Sequence, residues 1–241
     1  MNISSARHLL TLAVLLALSS ACDLNFRVKN GRGEIVTERI QTGEFSRLRV
    51  GGNFKVRLVS GSQPMLIVRT HENLVPYIIT ELRGEELHIY SDYQLKSREG
   101  VSIEVSYTQL ESIESAGASS IENAGVHKGE NLNLDISGAG SMNLSLEVGA
   151  LTVRMSGAGA MRLNGLADRC EIDISGAGGL KSDDLECRIC EINLSGVGGA
   201  EINVTEELIA RISGIGGITY SGSPAKVDKQ VSGLGRIVAA D

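Results

Sequence analysis

Six serines recur in a Ser-Gly-x-Gly block, at Ser137, Ser156, Ser175, Ser195, Ser213 and Ser232. A serine acts as a nucleophile only when a neighbouring base activates it. Near-identical copies argue against one special hydroxyl, and no Gly-x-Ser-x-Gly elbow is present. Beyond the leader the histidines are His71, His88 and His127, all read as outside the regular coils. No catalytic residue is therefore assigned, and the serines read as structural corners.

The Gly-x-Gly pairs raise phosphate or dinucleotide binding, which needs a helix opening after the glycines. Alternating β sequence follows instead, so no cofactor is expected. Cys187-Arg188-Ile189-Cys190 has C-x-x-C spacing. A redox motif wants a helix N-terminus, and zinc wants a fourth ligand; neither is visible, and no metal is expected. Cys170 and Cys190 share one offset from their serines and should neighbour each other in the core. They read as small buried hydrophobes, with a disulfide among Cys170, Cys187 and Cys190 as the alternative in an oxidising compartment. Glu171 and Glu191 stack as like charges, to be relieved by water, by Lys181 or Arg188, or by a cation.

These residues sit in a repeat. The serine spacings are 19, 19, 20, 18 and 19, and a degenerate copy begins at Ala116. A fixed period near this length marks a solenoid. Before each serine stand apolar residues at alternate places, as in Leu132-x-Leu134-x-Ile136, so each coil carries a strand with every second residue inward. The glycines supply a corner through positive φ or close backbone approach. The expected fold is all-β: a parallel β-helix of about 19-residue coils, preceded by a less regular β-rich part. Seven coils predict a rod about 30 Å long at the ~4.8 Å strand spacing. Pro224, Lys226, Asp228 and Lys229 should discourage edge-to-edge growth.

Upstream, Phe45–Val50 and Phe54–Val59 read as strands around Gly51-Gly52. Met65–Thr70 and Val101–Tyr107 also read as strands. Tyr77–Leu82 and Glu86–Tyr90 flank a hairpin turn at Arg83-Gly84-Glu85, and Tyr93–Gly100 reads as a loop. Residues 22–44 read as a linker with first strands, and 45–238 as the solenoid domain.

Residues 1–21 read as a leader. Arg7 and His8 precede the apolar run Leu9–Leu18, too short to span a bilayer. Ser19-Ser20-Ala21 before Cys22 resembles a lipobox, which makes Cys22 the lipidation site and anchors the chain to a membrane. Ser19 stands where a leucine is usual, and ordinary cleavage after Ala21 is the alternative. The expected location is the cell envelope, as an outer-membrane or periplasmic lipoprotein, or secreted.

The 241 residues include 3% aromatics and no Trp, which suits a thin layered core. Net charge is −6 and no basic stripe appears, so no nucleic acid partner is expected.

The chain resembles the bacterial domain of unknown function 2807, the auto-transporter adhesin head GIN domain. The resemblance rests on Phe45-x-x-Leu48-x-Val50, Phe54-Lys55-Val56, Leu87-His88-Ile89, Leu110-Glu111-Ser112-Ile113, the iterated Ser-Gly-x-Gly blocks and Gly217-Ile218-Thr219-Tyr220-Ser221-Gly222. It covers roughly residues 40–238, and the copy at Ala116 departs from it. It implies a right-handed β-helix in an exported, often lipid-anchored protein, with no catalytic residues to carry over. The expected function is a binding or adhesin-like module whose partner is an envelope glycan or protein. The alternatives are a carbohydrate-active enzyme, built on carboxylates such as Glu72, Glu81, Glu85, Glu86 and Asp92, or a purely structural lipoprotein.

Overall fold

The computed structural model describes residues 27–240. The leader, Cys22 and the lipidation expected there lie outside the described residues. The chain folds as a β-solenoid. From Ser112 onward each coil lies parallel on the one before it. Ile136 neighbours Met155, then Ile174, Leu194, Ile212 and Val231 follow in one column. All but Val231 are buried. The 20-residue coil from Ser175 to Ser195 is fitted by register shifts on both sides, between Arg162 and Asn164 against the coil before and near Ser182/Glu186 and Cys187/Ile189 against the coil after, so the inner column stays unbroken.

The corner glycines are there for approach. A Cβ on Gly157 would sit 1.9 Å from the carbonyl oxygen of Gly138, and one on Gly176 would sit 1.9 Å from that of Gly157. Both have ordinary negative φ. The stacked backbones leave no room for a side chain, so close approach, not positive φ, fixes glycine after each serine.

The N-terminal part belongs to the same stack, but out of sequence order. Leu48 lies between Ile113 on one side and Leu87 on the other, and Val56 lies between Ile121 and Ile103. The chain thus lays down residues 47–60, adds 86–107 outside them, then crosses back to start the regular coils. The crossing is tied by Glu111 N donating to Ser46 O (2.7 Å) and Thr108 Oγ1 to Glu44 Oε2 (2.7 Å). The column Leu87, Leu48, Ile113, Leu134, Val153, Ile172, Ile192, Ala210, Lys229 makes nine rungs. At about 4.8 Å each this is a rod of about 40 Å, longer than the regular repeat alone implies.

Antiparallel strands cap the outer rung. Met65–His71 pairs with Ser102–Tyr107, Ile35–Gln41 pairs with Met65–His71, and Ile79–Arg83 returns onto Glu86–Tyr90. The hairpin turns at Gly84, with φ of 61°. Two details differ from the sequence reading. Tyr77 ends a 3-10 helix, Glu72–Tyr77, because Pro76 cannot donate to a ladder, and the strand starts at Ile79. Within Tyr93–Gly100 the segment Gln94–Lys96 is a short strand that pairs in parallel with Val28–Asn30. At the other end Lys229 enters the inward column and lies over the Tyr220 ring at 4.4 Å. A charged side chain there covers the core and discourages another strand from docking.

Candidate binding surface

The corner serines do not converge on a base. All six are exposed on the outside of the stack. Ser137 Oγ lies 3.4 Å from Glu114 Oε1, and Ser232 Oγ faces the Ile212 carbonyl.

The outward column through Arg49, Glu114, Asp135, Arg154, Asp173, Asn193 and Arg211 mixes charges of both signs. Arg49 pairs with Glu114 at 3.2 Å, and Asn193 donates to Asp173 at 3.1 Å. Asp135 lies between Glu114 and Arg154 in this column; burial raises its pKa and the Arg154 and Arg49 guanidinium groups lower it, burial prevailing. Glu171 and Glu191 are neighbours as expected, but the relief comes from Arg211, 2.5 Å from Glu191. Lys181 pairs instead with Asp183 and Glu201, and Arg188 with Asp168 and Glu206. Among the described residues no group of three potential metal ligands forms.

Cys170 and Cys190 are register partners inside the stack. The bridge, however, joins Cys170 to Cys187, leaving Cys190 as a buried free thiol. Burial pushes the Cys190 thiol up to about 12, with Glu191 adding to the shift, so it is not a nucleophile at neutral pH.

Two histidines belong to the stack: His88 outside the regular coils, as read from the sequence, and His127 within them, contrary to that reading. His88 sits on the outermost rung beside Arg49. His127 opens the strand His127–Ile136, is 6% exposed, and its Nδ1 lies 3.0 Å from the Tyr107 hydroxyl. A period-based reading misses both because each precedes the first Ser-Gly-x-Gly block. Of the acidic residues proposed for catalysis, Glu81 accepts from Tyr90 Oη at 3.0 Å and Arg83 Nη2 at 2.5 Å. Those hydrogen bonds, Tyr90's first, hold Glu81 below the usual carboxylate range. That suits an ion pair and not a general acid.

The surface with a distinct shape is the strand face after each corner. Its outward residues form three parallel columns along the rod. The first is Ala139, Ala158, Ala177, Val197, Ile215 and Leu234, at the corner's x position; Val197, Ile215 and Leu234 are 55%, 53% and 76% exposed. The second is small: Ser120, Ser141, Ala160, Gly179, Gly199 and Gly217, bounded by Lys55 at one end and Arg236 at the other. The third is polar, with Asn143, Arg162, Lys181, Glu201 and Thr219. The small second column and the polar third column together line an open groove of about 610 Å³, with the first column outside its lining.

The groove's glycines differ from the corner glycines. A Cβ would meet nothing closer than 4.0 Å at Gly179, 3.4 Å at Gly199 and 3.7 Å at Gly217. Their φ values are not positive. Packing does not require glycine at these positions, and glycine in a strand costs roughly 0.5–1 kcal/mol against alanine. The sequence shows this column too, six residues long at the coil period, but only the structure separates glycines the fold needs from those it does not.

The family described as "Putative auto-transporter adhesin, head GIN domain" matches residues 44–224. The chain belongs to this family. Among solved structures, a putative adhesin of Bacteroides fragilis superposes with a TM-score of 0.84 at 22% identity, covering 88% of this head GIN chain and 100% of the other. A putative adhesin of Parabacteroides merdae gives 0.69 at 21% identity, covering 89% and 100%. A protein named as a putative lipid binding protein, from Parabacteroides distasonis, gives 0.72 at 22% identity over the same shares, 89% and 100%. At such identities the likeness shows the shared fold alone. No curated protein matches the sequence.

Proposed function

We propose that this head GIN protein is an exported, envelope-tethered binding module that holds an extended ligand, an envelope glycan or a protein segment, along its groove without turning it over. The carrying observation is the run Gly179, Gly199, Gly217. These glycines keep the groove floor open although the stack would accept a side chain at each. A floor kept low at a cost in strand stability fits a surface selected for contact. The rise per rung, about 4.8 Å, offers the same polar and apolar options repeatedly to a ligand lying along the rod. Membership of an adhesin-like family supports the class of function. The absence of turnover is supported by exposed, unactivated serines, a Glu81 held as an ion pair, and surface charges that pair across neighbouring coils.

Placing the photo-cross-linking residue p-benzoylphenylalanine at Thr219 in the groove, and at Thr152 on the preceding face as control, tests the site in cells. The reading expects an envelope adduct from Thr219 that disappears when Gly199→Gln fills the floor. Adducts of equal yield from both positions, unaffected by Gly199→Gln, would remove the groove from the account. The tether is tested separately. Cys22→Ser should move the protein out of the membrane fraction, and equal retention of both forms would make ordinary cleavage near Ala21 the better account.

A further inference from the structure

The tethered end of the rod has chemistry of its own. Although the chain carries net charge −6, its first described residues and the connection of the outermost rung bring cations together. The strand Val28–Asn30 lies parallel on Gln94–Lys96, with Asn30 opposite Lys96. Gly31 N donates to Lys96 O at 2.7 Å, and Gln94 N to Arg27 O at 3.0 Å. Arg27, Arg32, Lys96 and Arg98 are all exposed, as is Val28 at 41%. Among the described residues Arg32, Lys96 and Arg98 have no carboxylate within ion-pair distance, while Glu99 is engaged by Arg69 at 3.6 Å. Among the acids near this end, Glu34 accepts from Glu72 N through its carbonyl, and the Glu72 carboxylate lies against Gly33. Lys29 turns the other way, over the rings of Tyr77 and Tyr93 at 4.5 and 5.0 Å, which fixes the strand to the body.

This end is also where the chain leaves toward Cys22. Cys22 is five residue steps from Arg27, and at no more than ~3.6 Å per residue the span is at most about 18 Å. Any membrane that holds Cys22 is therefore within reach of this cluster.

We infer that the basic N-terminal end, Arg32, Lys96 and Arg98 with Arg27 beside them, seats on an anionic phospholipid surface and stands the rod on the membrane. Basic side chains near such a surface are attracted individually and additively, and a lipid anchor gains from a second, electrostatic signal. The inference rests on the envelope-tether reading for its setting, but the contact itself does not need the acyl chains. With the N-terminal end down, the groove runs up the standing rod, and Val197, Ile215 and Leu234 lie toward its far end.

The described residues form a continuous stack with its own buried core from Phe45 to Tyr220, so the chain from Asp23 on is expected to fold without leader or anchor. That protein is mixed with vesicles of phosphatidylethanolamine and phosphatidylglycerol, or of phosphatidylcholine alone, at low and high salt, and binding is read by flotation. Binding is expected to the anionic vesicles at low salt only, because screening shortens the reach of the charges. The combined variant Arg32→Gln, Lys96→Gln, Arg98→Gln should bind at least tenfold more weakly. The control Lys226→Gln, Lys229→Gln, Arg236→Gln at the far end should bind as wild type. No binding to anionic vesicles, or equal loss from both variants, would overturn the inference. So would a preference for a soluble acidic polysaccharide that displaces the vesicles. Because this protein lacks Cys22, a failure here is distinct from a failure of Cys22→Ser fractionation.

Discussion

The regular coils and the N-terminal rungs use the same ladder but reach it differently. From Ser112 on, each residue's neighbour in space is about one period away in sequence, as Ile172 is from Val153 and Ile192. In the N-terminal part Leu48 touches Leu87 and Ile113, far from it along the chain in both cases. The difference separates periodicity from stacking. A repeat in sequence is needed only where consecutive coils are also neighbours, and a rung inserted out of order needs only the inward alternation.

If the two parts are one stack, breaking either should unfold both. Ile174→Asp in the regular coils and Leu48→Asp in the inserted rung each bury an unpaired carboxylate among residues at most 2% exposed, such as Ile172 and Val50. We expect a loss of about 4 kcal/mol or more in each case, read as a single lowered transition in calorimetry. Two separate transitions in either variant would mean that the parts melt independently. A finer cut compares glycines three residues apart. Gly176→Ala drives a Cβ against the Gly157 carbonyl and should cost about 3 kcal/mol. Gly179→Ala meets only ordinary contacts and should be neutral or stabilise by up to about 1 kcal/mol. Equal losses from the two would dissolve the distinction between corner and groove glycines.

That distinction marks how much the sequence makes legible. The inward columns, the coil length and the family follow from residues such as Ile136, Met155 and Ile174, because alternation and period leave one arrangement for them. The out-of-order rung does not follow, since nothing local to Leu48 records that Leu87 will lie outside it. The sulfur pairing is half legible. Equal offsets make Cys170 and Cys190 neighbours, whereas the bridge to Cys187 crosses between columns and depends on the coil's exact path. Relief of Glu191 by Arg211 is hidden for a similar reason, as it joins different columns on adjacent coils. The groove is visible as a column of small residues but is recognisable only when backbone proximity shows which glycines the stack demands.

The crossing between the two parts has a pH signature. Burial holds the His127 imidazole below its ordinary range, and its Nε2 has no partner among the described residues. The native state therefore takes up this proton less readily than the unfolded chain, whose histidine titrates near 6.5. This contribution is at its full value above about pH 6.5 and is lost as the pH falls below that value. The melting temperature should decline from pH 7 to pH 5 more steeply in wild type than in His127→Gln; parallel declines would place the acid sensitivity elsewhere. The smallest effect is expected at Cys190. Its thiol should label slowly in the native protein and promptly after denaturation, and fast native labelling would show that this part of the stack opens locally.

The central claim, a surface that holds without converting, is met most directly by incubating the chain from Asp23 with a panel of envelope glycans and reading retention and products together by mass spectrometry. The account predicts retention of at least one extended glycan, weakened by Gly199→Gln, with no new chain ends. New ends whose formation is abolished by changing a single carboxylate would contradict it and make the protein an enzyme.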